Sequence, residues 1–306
     1  MVARIVSTAQ LLAEGLTPAL IRAMVSAGHL RRVRRGFYER GEYAALTPEV
    51  RHRVLMEAVL SRHPGCVFSH ISAAVAHGLP IPEKALGRAH VVRAADNSGS
   101  KRMQDLCLHR STFPILTTMV EGLAVTPLDR TVLDLVRVLH GADALAVADR
   151  ALAVGLDRNE TLALLEADGS RRGNVQARRV LLLADARAES PGESWTRWSM
   201  AEAGTPMPDL QAEFHDPRTG EFLARTDFYW REHNLVGEFD GKVKYGRLLK
   251  PGQDVGEVVL AEKQREERLR RVGLWMVRFD AGEANKPWVV DRIVRDGIAL
   301  ARSRAA

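Results

Sequence analysis

Apolar residues recur at helical spacing close to the N-terminus of the chain. Leu20, Met24 and Val25 form one stripe of a helix. The pair Thr17-Pro18 opens this helix, because a Thr side chain caps the first turn and Pro at the first helical position needs no backbone donor. A shorter helix precedes it, and strand-like residues around a glycine turn follow it. This order of helix, turn, helix and hairpin predicts a winged helix within residues 1–48.

The pattern after residue 48 is mixed and then becomes mainly helical. Thr47-Pro48 and Thr126-Pro127 repeat the same capping chemistry, and helices are expected from about Thr126 to Arg187. Residues 49–188 are therefore predicted to form a mixed, largely helical middle region.

From Ser190 onward, helical and strand-like patterns alternate. The expected elements are a helix at 190–203, strands at 210–214, 221–230 and 234–244, a helix at 257–271 and a strand at 274–279. A third region, residues 189–306, thus has the order αβββαβ. The chain as a whole is predicted to belong to the α/β (α+β) class.

Composition narrows the class of protein. With 46% hydrophobic and 27% charged residues and no long apolar run, the chain is expected to be globular, without a membrane partner. The first residues carry no secretory pattern, so a cytoplasmic location is expected. Cys66 and Cys107 are far apart and are expected to be core residues rather than a disulfide or a zinc site. His70 and His77 share a short helix, where structural or capping roles are expected.

Positive charge is concentrated near the N-terminus. Lys and Arg total 44 against 38 for Asp and Glu, and the densest cluster is Arg31, Arg32, Arg34 and Arg35. A wing of this kind would follow the DNA backbone while the preceding helix, with Arg22, enters the major groove. The alternative is a solvated basic turn. Because the cluster follows a helix-turn-helix pattern, contact with DNA is favoured.

Carboxylates occupy unusual positions in the C-terminal strands. Asp227 lies within the half-apolar second strand, and Glu238, Asp240 and Lys242 share one face of the third because strand side chains have period two. Asp227 and Glu238 are suited to hold Mg²⁺ or Mn²⁺, and a lysine would orient the attacking water. The alternative is a wet strand face, but acids between apolar neighbours cost desolvation energy unless they are paired or bound to metal.

These residues resemble a known family of nucleases. Asp227-Phe, Glu238-Phe-Asp240-Gly241 and the helix Glu262-Lys263-x-Arg265-Glu266 are similar to the restriction-endonuclease-like domain related to the very short patch repair endonuclease, within the PD-(D/E)xK nucleases. The resemblance covers residues 190–301. It implies an αβββαβ core and metal-dependent hydrolysis of DNA, with Asp227 and Glu238 as metal ligands.

Three positions leave alternatives open. Asp240 stands where the family has lysine, so either it takes that position or the acid-x-Lys pair has moved to Asp240-x-Lys242. Glu193 matches a helix acid found beside the metal, but Ser190-x-x-Glu193 is also a capping box. Glu262 and Arg265 continue an apolar stripe and are expected to face the sheet and support the site.

The N-terminal part resembles the winged-helix antitoxins of abortive-infection toxin–antitoxin systems. The motifs are Ser69-His70-x-Ser72-Ala73-Ala74 and Thr126-Pro127-x-x-Arg130-Thr131-x-x-Asp134. This resemblance implies DNA as a partner and a toxin protein as a further candidate partner. Two hypotheses follow: a Mg²⁺-dependent endonuclease with a winged helix, or a non-catalytic antitoxin-like transcriptional regulator that uses a degenerate nuclease fold to bind DNA or protein.

Overall fold

The computed structural model describes residues 4–40, 46–94, 101–102, 106–112, 114–241 and 255–305. Lys242 lies outside these ranges, and Glu262 is described only as part of a helix. The chain divides into two compact units: unit 1 comprises Met1–Leu135 and Asn159–Leu164, and unit 2 comprises Val136–Arg158 and Leu165–Ala306. The division into regions 1–48, 49–188 and 189–306 stays a prediction. Among the described residues, no helix combines the length and apolar character that crossing a lipid bilayer requires.

Unit 1 begins with the predicted winged helix. Its elements are β1 (Arg4–Ser7), α1 (Thr8–Ala13), α2 (Pro18–Ser26), β2 (Arg31–Arg34) and β3 (Phe37–Arg40). The strands pair in the order β1-β3-β2. The Thr17 hydroxyl accepts the Leu20 N–H, as its capping position predicts. Val6, Leu11, Ile21 and Leu30 form the core beneath these elements, so the two helices and the hairpin are confirmed and β1 is an addition.

The rest of unit 1 is a mixed sheet with flanking helices. Its elements are α3 (Pro48–Arg62), β4 (Val67–Phe68), α4 (His70–Ala76), β5 (Ala89–Ala94), β6 (Lys101–Arg102), β7 (Leu106–Ser111), β8 (Thr118–Val120), β9 (Leu123–Val125) and α5 (Leu128–Val136). In the described ranges the six strands run in the order β6-β7-β5-β4-β9-β8. Phe68, Met56 and Val125 are fully buried at its core.

Unit 2 contains the αβββαβ order predicted for the C-terminal region. The elements that follow α5 along the chain are α6 (Gly141–Ala153), α7 (Arg158–Ala167), α8 (Asn174–Leu183), α9 (Pro191–Ala203), β10 (Asp209–His215), β11 (Phe222–Trp230), β12 (Leu235–Asp240), α10 (Val255–Arg271), β13 (Trp275–Asp280) and α11 (Pro287–Ala305). Of α7, Asn159–Leu164 belong to unit 1. Strands β10, β11 and β12 are antiparallel, and β13 is parallel to β12. The α/β (α+β) class is confirmed.

Helices cover both faces of the unit 2 sheet. Phe228 and Phe279 pack with Met200 of α9 and Val290 of α11. On the opposite face, a second cluster includes Leu223, Val236, Leu269 and Leu274. Because side chains alternate along a strand, Asp227 and Glu238 project on the α10 side.

Candidate nucleic-acid interface and acidic centre

The β2–β3 hairpin presents arginines at the surface of unit 1. It turns at Gly36, whose φ of +83° favours glycine. Arg31, Arg32 and Arg35 are exposed. Arg34 differs from its neighbours, because it is buried and its guanidinium lies 5.9 Å from the centroid of the Phe37 ring. The described hairpin therefore offers three exposed arginines to a phosphate backbone, and Arg34 contributes to packing.

Helix α2 adds an exposed face before the hairpin. Arg22 is exposed, and Leu20 is 50% exposed. On the inner side, Ile21 is buried in the core. A helix with one anchored face and one open face, followed by a basic hairpin, is the arrangement that a helix-turn-helix protein uses to enter a groove of DNA.

A groove of about 890 Å³ lies between β2 and α3 within unit 1. The Arg51 guanidinium lies 3.4 Å from the Glu83 carboxylate at its edge. Cations predominate among the charged groups of the groove, which suits a polyanion rather than an apolar ligand. Its charged and histidine lining consists of Arg31, Arg32, Arg34, Arg35, Arg51, His52, Arg62, His63 and Glu83.

Two predicted acids, Asp227 and Glu238, lie on neighbouring strands of unit 2. Together with Glu193 they form the acidic centre of this unit. The pairing of β11 with β12 ends at Phe228↔Gly237, and Asp227 and Glu238 are the next residue on each strand. The Asp227 carboxylate accepts the Phe239 N–H at 2.9 Å. The two acids that the sequence assigned to neighbouring strands thus lie close enough for the charge of Asp227 to act on Glu238.

Glu238 is buried and paired with a cation. Its carboxylate lies 2.6 Å from the guanidinium of Arg265 on α10. Burial raises the pKa of Glu238, the charges of Arg265 and Arg278 oppose this rise, and Asp227 adds to it. Arg265 therefore faces the sheet and holds Glu238, which is the supporting position that its helical spacing predicts.

Glu193 takes part in both arrangements that the sequence left open. Its backbone N–H donates to the Ser190 hydroxyl at 3.2 Å, and its carboxylate accepts from that hydroxyl and from the Glu189 N–H. The same carboxylate shares the Gln211 amide with Asp227, and burial and then the charge of Asp227 raise the pKa of Glu193. The Glu193 side chain therefore both caps α9 and lies near Asp227.

Gln211 lies between Glu193 and Asp227, and the sequence analysis did not identify it. Its amide Nε2 lies 3.0 Å from Glu193 Oε2 and 3.5 Å from Asp227 Oδ1. Its φ of +54° is in the left-handed region, which is strained for a residue other than glycine. A single glutamine in a strand gives no sequence signal, since only the fold brings it between the acids.

A glycine allows helix α9 to approach the strand that carries Glu238. A Cβ on Gly192 would lie 2.0 Å from the Phe239 ring. The N-terminus of α9, and Glu193 with it, can therefore come close to β12 only because residue 192 has no side chain.

The structure describes Asp240 but not Lys242, the two residues that could take the lysine position of the nuclease motif. Asp240 is half-buried on β12, in register with Asp280 of β13. Lys242 is outside the described residues, so the choice between Asp240 and the Asp240-x-Lys242 pair stays open. Among described residues, Arg265 forms an ion pair with Glu238, and Arg278 is in register with Glu238 on β13.

The two N-terminal motifs come together around His70. Its Nδ1 lies 3.7 Å from Asp134 Oδ2, and Asp134 is 2.9 Å from the Arg130 guanidinium. Burial, with the nearby His109, His90 and Arg130, lowers the pKa of His70 well below its ordinary value. His77 instead donates to the Thr126 carbonyl at 2.9 Å, a structural role as expected.

One known protein family matches the N-terminal segment that contains the winged helix. A family described as "Transcriptional regulator, AbiEi antitoxin" matches residues 1–41. This match confirms the antitoxin resemblance for that segment. The nuclease resemblance of residues 190–301 stays a prediction.

Two proteins of Mycobacterium tuberculosis are similar to about half of the chain. The chain is 31% identical over 161 residues to the uncharacterized protein MT2308 of strain CDC 1551 / Oshkosh and to the uncharacterized protein Rv2248 of strain ATCC 25618 / H37Rv. Each alignment covers 48% of this chain and 59% of the relative, so the chain spans about three fifths of the length of these proteins. The crystal structure of the RV2827C protein from M. tuberculosis aligns with 17% identity and a TM-score of 0.39, covering 71% of this chain and 85% of that one.

Proposed function

We propose that the protein is a DNA-binding transcriptional regulator of the antitoxin type. The observation that carries the proposal is the exposed arginine hairpin that follows α1 and α2, in the segment that matches the AbiEi antitoxin regulators. Arg31, Arg32 and Arg35 would contact phosphates and position the protein, while the exposed face of α2 with Arg22 would read base edges in the major groove.

The groove beside the hairpin supports the same proposal. Arg51 and Arg62 of α3 line it together with the hairpin arginines. The arginines of the hairpin and of α3 that line this groove would neutralise several phosphates, and each neutralised phosphate releases counterions and increases affinity. DNA contact would then extend beyond the hairpin itself.

Footprinting of the full chain on DNA upstream of its own coding sequence tests this function. One discrete protected site is expected, at a protein concentration that leaves unrelated DNA of equal length unprotected. Equal protection of both DNAs, or of neither, would contradict a regulator that recognises an operator.

The antitoxin resemblance also motivates a protein partner. We propose that this partner is a toxin protein encoded beside this chain. Growth of cells that express the neighbouring gene, with and without this chain, tests the pairing: rescue of growth is expected, and unchanged toxicity would exclude it.

A second candidate function, cleavage of DNA, is favoured by the acidic centre of unit 2. Asp227 and Glu238 follow the last paired residues of neighbouring strands, and Mg²⁺ commonly takes one or two carboxylates together with waters and phosphate. The donor types therefore fit Mg²⁺ or Mn²⁺, with Asp227 and Glu238 as the residues that would hold the ion. When bound, the ion would supply activation of a water and of the phosphodiester.

The protein residues around these acids would prepare them for such a role. Arg265 orients the Glu238 carboxylate and favours its charged form. Gln211 orients the Glu193 carboxylate through its amide. Burial and the charge of Asp227 raise the pKa of Glu193, and this carboxylate would serve as a proton acceptor.

Nicking of supercoiled DNA with Mg²⁺ or Mn²⁺ tests cleavage. The wild type is compared with Asp227→Ala and Glu238→Ala at equal folded concentration, and the exposed acid Glu213 supplies the matched control Glu213→Ala. Loss of nicking in the first two variants alone would support cleavage. DNA binding without nicking by the wild type would exclude cleavage and leave regulation as the function of the fold.

A further inference from the structure

A histidine and cysteine cluster in unit 1 uses none of the residues of the arginine hairpin or the acidic centre. Strands β5 and β7 are parallel, with His90 in register with Cys107, and His109 is two residues further along β7. Residues two apart on a strand lie on the same side of a sheet, so all three side chains share one face. Their ligand atoms all lie within 4.8 Å of one another.

The two imidazoles face each other through their ring nitrogens. His109 Nε2 lies 2.9 Å from His90 Nδ1, so the two nitrogens share a proton in a hydrogen bond. Two imidazoles on a tetrahedral Zn²⁺, with Zn–N distances of about 2.0–2.1 Å, have nitrogens roughly 3.3 Å apart. The spacing of the two nitrogens in this structure is therefore within a few tenths of an ångström of the spacing in such a zinc complex.

The donor set selects a class of ion. Imidazole nitrogen and thiolate sulfur suit Zn²⁺, whereas Mg²⁺ and Ca²⁺ prefer oxygen ligands. We propose that His90, Cys107 and His109 form a Zn²⁺ site with three protein ligands and a fourth position open to water or another ligand. Zinc in proteins is held by imidazole nitrogen and thiolate sulfur, and three protein ligands are typical of zinc sites that keep an exchangeable position.

The Ser69-His70 and Arg130–Asp134 motifs hold this cluster in place. The His70 ring stacks on His109, with centroids 3.6 Å apart and an angle of 12° between the planes. Asp134 lies beside His70, and Arg130 is paired with Asp134. His70 is therefore a positioning residue that fixes the orientation of the His109 ring, and outer groups of this kind commonly change metal affinity by about 10–100-fold.

The cluster combines a core position with neighbours that the sequence reading did not use. Cys107 is buried, as expected of a core residue, and His109 follows it at the i+2 spacing that puts both on one strand face. The third ligand, His90, comes from the neighbouring strand through its register, which sequence does not give.

Metal binding by the full chain tests the proposal. After chelator treatment, Zn²⁺ is titrated in competition with a chromophoric chelator, and one tightly bound ion per chain is expected. Co²⁺ provides a second readout, because a cysteine ligand produces thiolate-to-metal charge-transfer absorption that oxygen ligands do not. Absence of stoichiometric Zn²⁺ binding, or a Co²⁺ complex without that absorption, would overturn the site.

Matched variants identify the ligands. Cys107→Ser and His109→Asn should abolish tight binding, and His70→Ala should weaken it by about tenfold. The other cysteine and an exposed histidine give the controls Cys66→Ser and His63→Asn, which should bind as the wild type does. If Cys107→Ser does not fold, alkylation of the wild-type protein replaces this variant as the test. Zn²⁺ should protect Cys107 from alkylation but not Cys66. Equal reactivity of Cys107 with and without Zn²⁺ would overturn the proposal.

Discussion

The guanidinium of Arg197 donates to the carboxylate of Asp149 at 2.8 Å, and the two side chains are 5% and 1% exposed. Asp149 also accepts from the Ser194 hydroxyl and from the Asp185 N–H, each at 2.7 Å. Burial raises the pKa of Asp149, and Arg197 is the largest of the influences that oppose the rise. The pair joins α6 to α9, the helix whose first turn carries Glu193, so the position of Glu193 depends on a buried charge that its partners stabilise.

Loss of Arg197 should destabilise unit 2 strongly. Arg197→Met leaves the Asp149 carboxylate buried without its cation, and breaking such a pair costs about 3–5 kcal/mol of unfolding free energy. Urea unfolding followed by circular dichroism measures the change. The exposed pair of Arg178 with Glu166 gives the control Arg178→Met, expected to cost less than about 1 kcal/mol. Equal losses in the two variants would show that the buried pair does not stabilise the unit.

The positive φ of Gln211 predicts different stabilities for its glycine and alanine variants. Gln211→Gly and Gln211→Ala both remove the amide that contacts Glu193 and Asp227, but only glycine adopts a φ of +54° without strain. The glycine variant should therefore be more stable than the alanine variant by about 1 kcal/mol, measured as the difference in unfolding free energy. A more stable alanine variant would show that the left-handed conformation is not retained.

Much of the fold could be predicted because its signals are local. Thr17-Pro18 caps α2, and Ser190 caps α9 through its hydroxyl, both as the sequence indicates. The alternation around Asp227 and Glu238 gave the strands and put both acids on one face. Capping and alternation depend on residues a few positions apart, so a single sequence contains them.

The parts that sequence missed depend on pairing between distant segments. Strand β4 is two residues long, too short for alternation to mark it, and it joins β5 to β9 in the unit 1 sheet only through pairing with these distant segments. Arg34 was grouped with its exposed neighbours, although the hairpin turns it against Phe37. Gln211 and His90 reach their partners only through strand register.

His52 should make unit 1 less stable in acid. Its Nδ1 donates to the Leu86 carbonyl at 2.8 Å, so the neutral ring accepts from the Ser72 hydroxyl at Nε2. Burial lowers the pKa of His52 below its ordinary value of about 6.5. Stability from the neutral ring is fully present above about pH 6.5 and is lost as the pH falls toward the folded-state pKa, because the unfolded chain takes up the proton first.

The difference between wild type and His52→Asn isolates this contribution. Asparagine retains a donor toward Leu86 but does not titrate, so the variant should lose less unfolding free energy than the wild type between about pH 6.5 and 5. The control His63→Asn, at an exposed position, should keep the wild-type pH slope. Parallel pH profiles for wild type and His52→Asn would show that His52 does not resist protonation in the folded protein.

The exposed hairpin arginines should set the salt dependence of DNA binding. Each arginine that neutralises a phosphate contributes about 0.9 to the slope of log affinity against log salt concentration. Replacing Arg31, Arg32 and Arg35 together by alanine should therefore lower both the affinity and that slope, measured by fluorescence anisotropy over a salt series. Arg178→Ala, exposed in unit 2, should leave the slope unchanged. Arg34→Ala should lower the stability of unit 1, because its guanidinium packs on Phe37, while the slope stays close to that of the wild type. A triple variant with an unchanged slope would show that DNA phosphates are contacted elsewhere and that the hairpin is a solvated basic turn.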